Sequence, residues 1–156
     1  MKFILTKELG RLAKWLRILG YDTEYFMRSN TASLIIKALQ DDRIILTRNL
    51  RIAGQRGPRV VVVKQENIKE QIREVLRELV LQPDSGTMFT RCTICNEELA
   101  AIEKEKVKDG VPEYVFQAQS DFYTCPQCKR IYWAGTHWGN VQQILKEITN
   151  RLKWNS

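Results

Sequence analysis

Two short motifs, Cys92-Thr93-Ile94-Cys95 and Cys125-Pro126-Gln127-Cys128, contain all four cysteines of the chain, and 29 residues separate them. We call them the first knuckle (residues 92–95) and the second knuckle (residues 125–128). A two-residue gap lets both thiolates of a knuckle reach one ion, and four thiolates complete a tetrahedral Zn²⁺ site. We therefore predict one structural zinc, with no open position for a catalytic water.

Two alternatives to this zinc site are open. Disulfides within a knuckle would be strained, and bridges between the knuckles require a secreted protein, for which the N-terminus offers no signal peptide. Iron also binds four thiolates, although a mononuclear site of this kind in a reducing compartment makes zinc the default. A structural zinc holds parts of a protein together and does not indicate what the protein does.

Composition and charge narrow the classes of function. The chain has 156 residues, of which 44% are hydrophobic and 28% charged, as expected for one globular domain or two small ones. No apolar run approaches the ~18 residues that span a bilayer, so we expect a cytoplasmic protein without membrane contact. The net charge of +7 lies in residues 1–83, which carry 16 Lys and Arg against 9 Asp and Glu. A polyanionic partner for this half fits the asymmetry, and so does a generally basic protein.

The chain before the first knuckle alternates apolar, strand-like runs with amphipathic helical patterns. Apolar strands that alternate with helices indicate a parallel sheet covered on both faces, so we predict an α/β fold. The predicted strands are residues 2–5, 21–26, 43–47 and 59–63, and the predicted helices are 7–19, 31–40 and 68–82. Residues 83–87 have the composition of a linker between an α/β domain (1–83) and a small zinc domain (84–156) that ends in a helix over about 141–154.

Functional sites of open parallel sheets form at the carboxyl ends of the strands. Thr6 follows the first predicted strand, and Arg48 and Asn49 follow the third. We therefore predict the functional site around these residues.

One side of the first predicted helix is basic. Lys7, Arg11 and Lys14 share this side at helical spacing, with Arg17 and Trp15 beside them. The pattern alone favours a solvated surface helix, and with the charge asymmetry a phosphate-contacting helix fits equally well. The segment 43–64 has six basic and no acidic residues. Three of the six are further candidate phosphate contacts: Arg48, Arg51 and Arg56.

An aromatic cluster follows the second knuckle. Tyr132, Trp133 and Trp138 lie close to the single histidine, His137. The rings are interpreted either as the core of the small domain, which needs apolar mass, or as a platform on which bases stack. For His137 we predict hydrogen bonding or contact with RNA, because four cysteines suffice for the metal.

The sequence resembles the Mut-seven C-terminal family over nearly its whole length. The resemblance implies a PIN-like ribonuclease domain, with its parallel sheet and flanking helices, followed by a zinc ribbon. The motifs that carry it are Lys2-Phe3, Leu9 to Arg17, Leu19 to Thr23, Arg43 to Arg48, Arg91-Cys92, and the second knuckle with the residues up to Trp138.

Three departures from the family pattern concern its metal-binding acids. The resemblance implies an Asp at the end of the first strand, acidic residues at the start of the second helix, and an Asp after the third strand. The corresponding positions are Thr6, the stretch 29–32 with Asn30, and Asn49. Mg²⁺ and Mn²⁺ prefer carboxylate oxygens, so a degenerate site is predicted. Glu8 is the nearest remaining carboxylate. Two roles fit it equally well: a side chain turned toward the site, and an acidic residue that complements the dipole of the first helix.

Three hypotheses follow. The first is a catalytically degenerate ribonuclease homologue that binds RNA, or an RNA-containing particle, through its basic half. The second is an active ribonuclease that depends on Mg²⁺ or Mn²⁺ and holds the ion by an arrangement not visible in the sequence. The third is an adaptor whose zinc ribbon and last helix bind a protein partner, for which an exposed apolar stripe on that helix would be the sign.

Overall fold

The protein is described from a computed structural model of residues 1–150, without the side chains of Thr136 and His137. The predicted role of His137 and the predicted helical residues 151–154 lie outside the described residues. In the described part of the chain, no helix is both long and apolar enough to cross a membrane.

A sheet of four parallel strands forms the centre of the N-terminal half. The strands are β1 (Lys2–Thr6), β2 (Asp22–Phe26), β3 (Ile44–Thr47) and β4 (Val60–Val62), in the order β2-β1-β3-β4. All three pairings are parallel, which confirms the predicted sheet. Thr6 is level with Phe26, and Thr47 is level with Val62, so these strands end at one edge.

Helices cover both faces of this sheet. A 3-10 turn (Lys7–Leu9) leads into α1 (Gly10–Ile18), and α2 (Thr31–Gln40), α3 (Leu50–Ala53) and α4 (Ile68–Glu78) follow. Side chains alternate along β1, where Phe3 and Leu5 join the core under α1 and α4, while Ile4 joins the core under α2 and α3. The short helix α3 is not among the predicted helices, and it starts because the Asn49 side chain accepts a hydrogen bond from the N–H of Arg51.

The second half contains a small antiparallel sheet and one more long helix. Strands β5 (Ala100–Ile102), β6 (Phe122–Thr124) and β7 (Ile131–Trp133) pair in the order β5-β6-β7. A second 3-10 turn (Lys104–Val107) and helix α5 (Glu113–Ala118) lie between β5 and β6, and α6 (Thr136–Asn150) follows β7. The structure therefore has the predicted class: a parallel α/β sheet with flanking helices, then a four-cysteine unit and a C-terminal helix.

Helix α6 packs against the first half of the chain. Val141, Leu145 and Ile148 are buried in the core that α1 and α4 form with the parallel sheet. Arg73 of α4 also donates a hydrogen bond to the carbonyl of Ile148. The predicted division at residue 83 stays a prediction, since the last helix adds to the core of the first part.

The predicted linker is folded against the end of α1. Phe89 N–H donates to the carbonyl of Ile18 at 2.8 Å. At Gly20, where φ is +92°, an added Cβ would lie 2.1 Å from the carbonyl oxygen of Thr87. Only glycine fits this conformation and this close approach. Thr87 therefore lies directly against the turn between α1 and β2.

Candidate functional site

The three positions predicted for the degenerate site meet in one cavity. Thr6, Asn30 and Asn49 line an open pocket of about 200 Å³ at the carboxyl ends of β1, β2 and β3. Lys7 and Arg28 line it as well. We call this pocket the cavity. Strand ends and helix starts converge here, as expected of an open parallel sheet.

Glu8 is the residue of the cavity that the sequence prediction underrated. Its Oε1 accepts hydrogen bonds from Thr6 Oγ1 at 2.5 Å, Arg48 N–H at 3.0 Å and Thr47 Oγ1 at 3.3 Å. The carboxylate thus bridges the ends of β1 and β3. Glu8 lies two residues after the end of β1, and the 3-10 turn directs its side chain back over that end. This position in the sequence could have indicated that Glu8 belongs to the site.

The cavity offers few ligands for a divalent cation. Glu8 is the one carboxylate among the described residues that line it. The side-chain oxygens of Asn30 and Asn49 cap α2 and α3, accepting from Ser33 N–H at 3.2 Å and Arg51 N–H at 3.0 Å. Hard cations such as Mg²⁺ bind through carboxylates, so this arrangement attracts them weakly.

The four cysteines come together as the sequence predicts, in an arrangement that could hold a metal ion. Their Sγ atoms all lie within 4.8 Å of one another, and those of Cys92 and Cys128 are 3.7 Å apart. Thiolates bound to one tetrahedral zinc are about 3.8 Å apart, given Zn–S bonds of about 2.3 Å. Cys95 N–H points at Cys92 Sγ and Cys128 N–H at Cys125 Sγ, at 3.3 and 3.4 Å. The cysteines are thus positioned to hold a metal ion.

The knuckles share one backbone geometry, and one side chain braces the site. The residue after the second cysteine has a left-handed backbone in both, with φ of 69° at Asn96 and 63° at Lys129. Tyr132 Oη lies 3.0 Å from Cys92 Sγ and accepts from Thr93 N–H at 3.2 Å. A hydrogen bond to a metal ligand orients it, so Tyr132 contributes to the centre without binding the ion.

Comparison with known proteins identifies the family. A family model described as the Mut7-C RNAse domain matches residues 1–145. The chain belongs to this family. Comparisons with curated proteins and with solved structures found no match. The resemblance inferred from the motifs is confirmed, and the Mut7-C match places the protein in a ribonuclease-like family.

The basic residues predicted to contact phosphates in this Mut7-C chain differ in exposure, and of them Lys7 lines the cavity. Lys7, Arg11 and Lys14 are exposed, and we call these three the basic face. Arg51 and Arg56 are exposed too, whereas Arg48 is half-buried and donates to the carbonyl of Gln65. Trp15 is half-buried and packs on the core under α1.

The structure corrects the prediction for Arg17. Its side chain is 8% exposed and cannot be part of a phosphate-contacting surface. Nε donates to the carbonyl of Thr23 at 2.9 Å, and Nη1 donates to those of Thr93 and Ile94 at 2.9 and 3.0 Å. Arg17 therefore joins α1 and β2 to the first knuckle.

The hydrogen bonds of Glu8 predict a pH dependence of stability. Burial raises the pKa of this carboxyl, but the bonds from Thr6 and from the N–H of Arg48 outweigh it and bring the pKa below its ordinary 4.5. A lowered folded-state pKa stabilises the protein above the unfolded value, and this contribution is lost as pH falls through the folded value. We expect the free energy of unfolding to fall below pH 4.5 by more in the wild type than in Glu8→Gln.

Urea unfolding between about pH 3 and about pH 7 measures this difference. Glu8→Gln keeps the size and one acceptor oxygen of the side chain but does not titrate. Parallel pH profiles of the two proteins would contradict the assignment of Glu8 to this network.

Proposed function

We propose that this protein is a catalytically degenerate ribonuclease homologue that binds RNA through its basic N-terminal half. The observation that carries the proposal is the cavity, where one carboxylate, Glu8, already accepts three hydrogen bonds. The family resemblance implies three acidic positions there, and this chain has Thr6, Asn30 and Asn49 instead. Metal-assisted phosphodiester cleavage needs an ion that activates water and offsets the developing charge.

The loss of acids changes what the cavity attracts. Lys7 and Arg28 outnumber Glu8 on its lining, and the basic face continues from it along α1. Phosphate binding by Lys and Arg releases counterions and supplies sequence-independent affinity for nucleic acid. We assign a structural Zn²⁺ to the four cysteines and a cytoplasmic location to the protein, because four thiolates bind zinc best where they stay reduced.

The presence of Glu8 supports a second candidate function, a ribonuclease that depends on Mg²⁺ or Mn²⁺. Glu8 lines the cavity, and its carboxylate would be a first ligand for the ion. The adaptor hypothesis has less support, because the apolar stripe of α6 that would have favoured it is buried at Val141, Leu145 and Ile148.

An RNA-cleavage assay tests the proposal. We expect the wild type to retard labelled single-stranded RNA in a gel and to leave it intact with Mg²⁺ or Mn²⁺. The double variant Thr6→Asp/Asn49→Asp is expected to gain cleavage that depends on Mn²⁺, because it puts two carboxylates beside Glu8. Asp caps a helix as well as Asn, so the change at residue 49 preserves α3.

The matched control is Thr6→Val/Asn49→Ser, which changes the same positions without adding charge and is expected to remain inactive. Chelators are left out, because they would remove the structural zinc. Retention must weaken as salt rises if phosphates dominate the contact. Metal-dependent cleavage by the wild type would replace the proposal with the active enzyme, and absence of retention at low salt would remove RNA as the partner.

A further inference from the structure

A second, larger depression lies between α1 and the zinc-ribbon half. It has a volume of about 540 Å³, within the range of about 300–1,000 Å³ typical of ligand sites. We call it the groove. Five aromatic side chains from four separate segments line it: Phe89, Tyr114, Tyr132, Trp133 and Trp138.

These rings are not simply the core of the small sheet. The buried core there consists of Val107, Val115 and Phe122, and of the five groove rings only Trp133 packs against it. Tyr114 is 74% exposed on α5, at the rim of the groove. A large exposed ring is hard to explain by packing and is suited to stacking on a planar ligand.

Three of the groove rings are fixed by contacts with their neighbours. The Tyr132 hydroxyl bonds to Cys92 Sγ and Thr93 N–H, as described above. Trp138 stacks on Phe89 with ring centroids 4.3 Å apart and an interplanar angle of 12°. Preorganised rings lose little entropy when a ligand stacks on them.

The charge of the groove selects an anionic aromatic ligand. Lys14 is the one charged residue on its lining, and no carboxylate lines it within the described part of the chain. Lys7 lines the cavity and Lys14 the groove, with Arg11 between them on the basic face. The seven-residue interval corresponds to roughly 10 Å along the helix, so the basic face connects the two depressions.

We propose that the groove holds the base of an unpaired nucleotide in single-stranded RNA, with Lys14 on the adjacent phosphate. The inference rests on the proposed function and adds to it the class of RNA. Aromatic rings stack on any base. Thr93 and Gln119 are polar residues on the groove lining that would form hydrogen bonds with the edge of the base. A base within a duplex is already stacked and cannot enter, so duplex RNA would be bound only through phosphates.

The test compares Tyr114→Ala with Tyr114→Phe. Because Tyr114 is exposed, neither change should affect folding, which a thermal melt verifies. We expect Tyr114→Ala to weaken binding of fluorescent single-stranded RNA by about 5- to 100-fold, the effect of removing one base-stacking ring, and Tyr114→Phe to bind like the wild type. Binding to a blunt RNA duplex should be equal in all three proteins.

A second readout locates the base directly. Single-stranded RNA that contains 5-bromouridine is cross-linked to the wild type by light, and the modified peptides are identified by mass spectrometry. Cross-links at Tyr114, Trp133 or Trp138 are expected. Cross-links confined to residues of the cavity would overturn the inference.

The outcomes separate this inference from the proposed function. RNA binding that is the same in Tyr114→Ala and the wild type would overturn the groove assignment and leave RNA binding intact. A wild type that binds no RNA would overturn both. Binding of AMP as tight as that of single-stranded RNA would show a free-nucleotide site and would likewise overturn the inference.

Discussion

Replacement of Cys125 by Ser is expected to unfold the zinc-ribbon half and to lower the stability of the parallel sheet as well. Cys125 is fully buried, and the three strands of this half have only three residues each. Among the described residues, the apolar core there has three buried side chains: Val107, Val115 and Phe122. Such a core cannot support a fold alone, whereas a structural zinc contributes about 10–16 kcal/mol in zinc-finger peptides.

The effect should reach the sheet because the first knuckle is bonded to the start of β2. Arg17 donates to the carbonyls of Thr93 and Ile94, and Asn96 Nδ2 donates to Asp22 Oδ1 at 2.8 Å. Asn96 Oδ1 in turn accepts from Thr23 N–H at 2.9 Å. Loss of the metal is expected to free the knuckle, and the buried N–H of Thr23 then lacks its partner.

Amide hydrogen exchange of the Cys125→Ser variant, compared with that of the wild type, measures this coupling. Protection is expected to fall in residues 91–133 and also in β1 and β2. Pro126→Ala is the matched control, because Pro126 is exposed between the two ligands of the second knuckle and does not bind the metal. Bound metal is counted by mass spectrometry, with one zinc per chain expected. Exchange that changes only within residues 91–133 would refute the coupling.

Much of the fold could be predicted because its signals are local. The apolar runs of β1, β3 and β4 and the helical spacing of α1 and α4 each lie within about fifteen residues. The knuckles are equally local, since the two-residue gap alone predicts shared coordination. For the same reason, the ends of β1 and β3 correctly marked where Thr6 and Asn49 meet.

The features that the sequence could not provide depend on tertiary contacts. Glu8 is close in sequence to the end of β1, but two of its donors lie about forty residues away, at the end of β3 and just after it. The groove collects rings from four segments, so no window of the sequence displays it. For Arg17 the helical pattern was misleading, because its position beside the basic face says nothing about carbonyls in the first knuckle.

Arg17→Met is expected to destabilise the protein by about 1–3 kcal/mol, because it leaves the buried carbonyl of Thr23 without its Arg17 donor. It also removes the part-buried hydrogen bonds to the carbonyls of Thr93 and Ile94. Met replaces most of the aliphatic stem, so the loss comes from the guanidinium and not from packing. Urea unfolding should show a lower midpoint with an unchanged slope. RNA affinity of the folded protein should stay the same, since Arg17 is not on the surface.

Arg11→Met gives the opposite result on the same helix and serves as the control. Arg11 is exposed on α1, so its loss should change stability by no more than about 0.5 kcal/mol. The same change should weaken RNA binding at low salt, because it removes one cation from the basic face. If Arg17→Met weakened RNA binding and left stability unchanged, Arg17 would belong to the phosphate-contacting surface. These two arginines lie six residues apart on the same helix. Their different responses would separate a positive charge proposed to bind RNA, at Arg11, from one that joins the first knuckle to the sheet, at Arg17.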